Sequence, residues 1–82
     1  MEQLVGFLFR PFVREPDAFR VSAVENTSSV LLEVRASRAD FARLRGPDGV
    51  NLRAVQQVLS AAGGARKPVI DLVDPSAGAG EE

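Results

Sequence analysis

The sequence predicts an α+β domain in which a three-stranded sheet carries helices packed on one face. Three observations point to it. Apolar residues recur at helical spacing in 2–14 and 50–62, alternate with polar ones in 19–25 and 30–36, and a Gly-Pro-Asp-Gly turn at 46–49 leads straight into the later helical stretch.

In residues 2–14 the stripe is Leu4, Val5, Leu8, Phe9 and Phe12, with Pro11 inside it. Proline removes a backbone donor and clashes with the carbonyl four residues back, which predicts a kink or break near Arg10. Glu15-Pro16-Asp17 ends the element. Phe19 to Glu25 reads as a half-buried strand, with Phe19, Val21 and Ala23 on one face and Arg20, Ser22 and Val24 on the other. After a polar turn at 26–29, Val30 to Ala36 alternates Val30, Leu32, Val34 and Ala36 against Leu31, Glu33 and Arg35, giving an antiparallel hairpin.

Ser37 followed by Asp40 resembles a capping box with Asp in place of Glu or Gln, which predicts a short helix over about 38–44. That helix should bury some combination of Ala39, Phe41, Ala42 and Leu44. The next helix runs from Val50 to about Ala62, where Gly63-Gly64 offers a stop with positive φ. Pro68 to Val73 is the third strand. Residues 1–73 form the one domain, and the acidic segment 74–82, with nothing to bury, is expected to be a disordered tail.

Composition narrows the chemistry. At 82 residues and 45% apolar content, one modest core must hold the fold without a cysteine staple. Histidine is absent as well, so the usual general base, nucleophile and metal-thiolate groups are missing, and the chain reads as no enzyme with no metal or cofactor. The start Met-Glu-Gln-Leu lacks a basic leader, and the longest apolar run, Leu4 to Phe9, is far too short for a membrane span. A cytoplasmic, soluble protein without a membrane partner is expected.

The net charge of −1 conceals an asymmetry: 35–53 carries plus three, from five arginines against Asp40 and Asp48, whereas 71–82 carries minus four. Positive charge gathers around the glycine turn, which permits contact with a polyanion. The turn itself has two readings. It is a plain interhelical bend, for which Pro-Asp-Gly is a strong signal, or a loop whose bare glycines and following helix N-terminus hold a phosphate.

The order helix, strand, strand, short helix, Gly46-Pro47-Asp48-Gly49, helix, strand resembles the type II KH domain, with its order α-β-β-α-α-β. More closely, 2–73 resembles the small bacterial single-KH-domain proteins of the KhpA (YlqC-like) group. The features that carry this are Leu4 to Val13, the Glu15-Pro16-Asp17 break, Asp40-Phe41-Ala42-Arg43-Leu44 before the turn, Leu52-Arg53-Ala54-Val55 after it, and Pro68 to Val73. The resemblance implies single-stranded RNA binding, with the G-x-x-G loop on the sugar-phosphate backbone and about four nucleotides in a groove beside it. Transferred onto this chain, it places Gly46 and Gly49 against phosphates and Pro47 and Asp48 at the loop tip. Arg43, Leu44 and Arg45 precede the loop, and Val50, Asn51 and Arg53 follow on the helix.

This sequence departs from the family pattern at the loop. Asp48 stands where basic or polar residues are common, Arg45 replaces the apolar residue before the first glycine, and Val50 replaces the basic residue after the second. An anion among phosphates costs about 1 kcal/mol in a wet setting, or about fivefold in affinity. Weak, salt-dependent, sequence-tolerant binding is therefore expected, partly compensated by Arg43, Arg45 and Arg53, and the resemblance further implies an RNA-chaperone role. The alternative is a KH-fold interaction module with reduced or lost RNA binding, drawing on Val24, Leu31, Val69 and Val73 on the second face of the strands. The resemblance implies a homodimer, or a heterodimer with a larger Jag-type RNA-binding protein that has its own KH domain.

Overall fold

The computed structural model describes residues 1–62 and 64–75. The acidic segment from 76 onward and Gly63 lie outside the described residues, so the expected tail and the first glycine of the helix stop do too. Among the described residues positive φ occurs at Gly46, Asp48 and Gly49.

Helix α1, Glu2–Phe9, ends where proline forbids its continuation. A 3-10 turn, Arg10–Phe12, takes over at the expected break, with the Val13 N–H donating to the Arg10 carbonyl at 3.0 Å. A second 3-10 turn, Pro16–Ala18, leads into β1, Arg20–Glu25, and β2, Ser29–Arg35. Helix α2, Arg38–Arg45, and helix α3, Val50–Ala62, flank the short turn Pro47–Gly49, and β3, Lys67–Leu72, closes the sequence of elements.

The sheet has the order β1-β2-β3, with β1 antiparallel and β3 parallel to the central strand. A parallel pair needs a long crossover, and α2, the glycine turn and α3 supply it. Alternation then decides which side faces in. Val30, Leu32 and Val34 of β2 are buried with Val5 and Phe9 of α1, Leu44 of α2, and Val55 and Leu59 of α3. Each fully buried aliphatic or aromatic side chain contributes about 1.5–3 kcal/mol. The other side of the sheet carries Leu31 and Glu33 half-exposed and Val24 and Val69 exposed.

Edge strand β3 is fastened to α3 by one side chain. The Gln56 amide donates to the Pro68 carbonyl at 2.7 Å and accepts the Ile70 N–H at 3.0 Å, so peptide groups that face away from β2 are paired. Pro68 brings no N–H of its own to that edge.

Within α2 the buried positions are Leu44 and Asp40, with Phe41 half-buried. Ala39 and Ala42, expected as core candidates, are exposed, because the helix turns its charged third position inward.

Candidate nucleic-acid interface

The turn between α2 and α3 is built from backbone conformations that few side chains tolerate. Gly46 has φ 76°, Asp48 has φ 55° and Gly49 has φ 74°. Glycine takes such angles without cost, and Asp is among the few other residues that adopt them readily. Asp48 is thus a conformational choice as well as a charge. At Gly46 there is a second constraint, since an added Cβ would lie 2.8 Å from the Asn51 side chain. At Gly49 the nearest atom would be an Arg53 guanidinium nitrogen at 3.4 Å, the end of a flexible chain.

The turn is braced from both sides. The Asn51 carboxamide donates to the Arg43 carbonyl at 2.9 Å, and the Arg53 guanidinium donates to the Asp48 carbonyl. The bend also satisfies some of its own donors. The Gly49 N–H reaches the Gly46 carbonyl at 3.1 Å and the Val50 N–H reaches Pro47, so those two amides are not the bare donors that the sequence suggested.

The residues singled out from sequence divide accordingly. Gly46, Pro47, Asp48 and Gly49 form the turn, with Pro47 and Asp48 exposed. Arg45 and Val50 are exposed beside it, Asn51 is half-buried as a brace, and Arg53 is exposed but folded back on the turn. Leu44 is withdrawn from the interface: it is fully buried, since one residue before Arg45 the helix faces the core. Its role is to anchor α2.

Arg43 joins a structure that sequence reading missed. Its guanidinium pairs with Asp40 at 2.7 Å, and Asp40 has no exposed surface. Ser37 accepts the Asp40 N–H at 3.1 Å, which is half of the expected capping box. The carboxylate does not reach back to complete it. Instead it accepts the Arg14 N–H on both oxygens, at 3.1 and 3.0 Å, and the Glu15 N–H at 2.9 Å. Burial alone would raise the Asp40 pKa, but the N–H groups of Glu15 and Arg14 and the Arg43 guanidinium outweigh it and hold the carboxyl below its ordinary value. No local sequence signal marks this contact.

Because Asp40 holds the chain after α1 against α2, a cleft of about 310 Å³ opens between them. Phe12 and Arg14 line one side, and Arg43, Gly46 and Asn51 line the other. The turn and the cleft share Gly46 and Pro47. Among the described residues no group of acidic side chains could hold a metal ion, and no helix is long and apolar enough to cross a membrane.

A family model described as the KhpA/KhpB KH domain matches residues 2–69. Among curated proteins, the chain is similar to the RNA-binding protein KhpA of Borreliella burgdorferi, at 29% identity over 59 residues that cover 72% of each chain. It is also similar to the RNA-binding protein KhpA of Chlamydia pneumoniae, at 20% identity over 59 residues, 72% of this chain and 76% of that one. No solved structure matches significantly.

Proposed function

Because this chain belongs to the KhpA/KhpB KH-domain family, we propose that it binds single-stranded RNA through the turn from Gly46 to Gly49. Family membership supports RNA binding. The observation that carries the rest is the turn itself, where two glycines at positive φ remove side chains from one stretch of backbone while Asn51 and Arg53 hold it rigid. A preformed backbone surface loses little entropy when a sugar-phosphate chain is laid on it.

The electrostatics are modest. Arg45 and Arg53 are the exposed cations beside the turn, the latter donating to the Asp48 carbonyl, while Arg43 is paired with Asp40 and Asp48 at the tip opposes phosphate. Binding is accordingly weak, salt-dependent and tolerant of sequence, since the residues named act on the backbone and not on base edges. Adding a short single-stranded RNA to isotope-labelled protein tests this. Amide shifts should concentrate at 43–53; shifts confined to the open side of the sheet would overturn it.

A second reading, docking to another protein, is favoured by one observation. The sheet register sets Val24 beside Leu31 and Leu31 beside Val69, so an aliphatic row crosses the side of all three strands that none of the described helices covers. Val73, the fourth residue expected there, is half-buried just past β3. Such a row suits a second copy of the chain or a larger KH-containing partner, and it leaves the turn free for RNA.

A further inference from the structure

We infer that the cleft between the segment after α1 and the glycine turn holds one further nucleotide of the RNA strand, with its base against Phe12 and its phosphate on Arg14. The inference rests on the RNA reading above and extends it past the nucleotides held beside the loop.

Four features support it. The cleft is continuous with the turn, because Gly46 and Pro47 belong to both, so a strand laid on the turn passes its mouth. Its volume of about 310 Å³ lies at the lower end of the roughly 300–1,000 Å³ of small-ligand sites, room for one nucleotide unit. Its lining pairs a half-buried aromatic ring with guanidinium groups, the combination that stacks a splayed base and neutralises its phosphate. Finally, its charge is set for one anion. Arg43 is committed to Asp40, whereas the Arg14 guanidinium has no carboxylate partner among the described residues.

Asp40 ties these features together. By holding the Arg14 and Glu15 N–H groups it fixes one wall of the cleft before any ligand arrives, yet it adds no net charge, being balanced by Arg43. Arg14 is thereby held by its backbone and left exposed along its side chain.

The test compares single-stranded RNAs of about four and about eight nucleotides, titrated into the wild type, Arg14→Glu and Arg14→Ala. The longer RNA should bind the wild type more tightly than the shorter. Arg14→Glu should weaken the longer RNA about tenfold and Arg14→Ala about threefold, with the shorter RNA changed by less than about twofold. Equal losses on both lengths would mean a diffuse charge effect, and no loss on either would mean an empty cleft; both overturn the inference while the RNA reading stands. If the wild type binds neither length, the RNA reading falls and this inference with it. A thermal melt of each variant separates lost contact from lost fold.

Discussion

The carboxylate of Asp40 holds the backbone N–H of Arg14, 26 residues earlier in the chain, with both of its oxygens. This contact clips the segment after α1 to α2 and shapes the cleft beside the turn. Removing the carboxylate strands the N–H groups of Arg14 and Glu15 and the Arg43 guanidinium together, so Asp40→Ala should cost about 2–3 kcal/mol in urea unfolding. A loss below about 0.5 kcal/mol would show that water replaces the carboxylate freely.

The same group sets a pH dependence. Its folded pKa lies below its unfolded value, so it stabilises the fold at every pH above about 4, and that contribution disappears as pH falls from there through the folded value. The stability difference between wild type and Asp40→Asn should therefore be constant near neutrality and shrink below about pH 4. A difference that grows on acidification would contradict the assignment.

The two glycines of the turn should not be equivalent. Gly46→Ala meets both a left-handed backbone and a contact at 2.8 Å with Asn51, whereas Gly49→Ala meets the backbone penalty and a movable arginine tip. Gly46→Ala should cost about 2–3 kcal/mol and Gly49→Ala about 1, measured by thermal melting. Equal costs would mean that the Asn51 brace yields easily.

Much of this was legible in the sequence, and the exceptions share a physical cause. Periodicity located three helices and three strands because one face of each had to be buried, and Pro11 marked the end of α1. The break, the hairpin and the glycine turn were local features with local signals. Asp40 read as a helix cap because a capping motif explains its position without any distant partner. Its contacts with Arg14 and Glu15 exist only once α1 and α2 are packed. The fates of Leu44 and Arg53 were hidden for a related reason: spacing places both next to the turn, but the direction of the helix decides that one faces the core and the other folds back on Asp48.

Asp48 combines a favourable conformation with an unfavourable charge, and Asn can keep the first while losing the second. Asp48→Asn should leave stability within about 0.5 kcal/mol and raise RNA affinity about threefold to fivefold. Unchanged affinity would place Asp48 away from the phosphates.

On the open side of the sheet, Val24 is 48% exposed beside Leu31. If the aliphatic row docks another copy, Val24→Lys should shift the protein toward monomer in sedimentation while leaving RNA affinity within about twofold. An unchanged molecular mass would remove self-association as the use of that face.

The central claim is that the turn from Gly46 to Gly49 lies against an RNA backbone, and Pro47→Asp tests it most directly. Pro47 is exposed at the tip, so the substitution adds a second negative charge there without touching the core or either brace. Labelled single-stranded RNA should be titrated into wild type and variant at about 50 and about 200 mM salt. The wild type should bind, more weakly at the higher salt, and Pro47→Asp should lose about fivefold at the lower salt while melting at the same temperature. Equal affinities for a folded variant and the wild type, or no binding by the wild type at either salt, would contradict the claim.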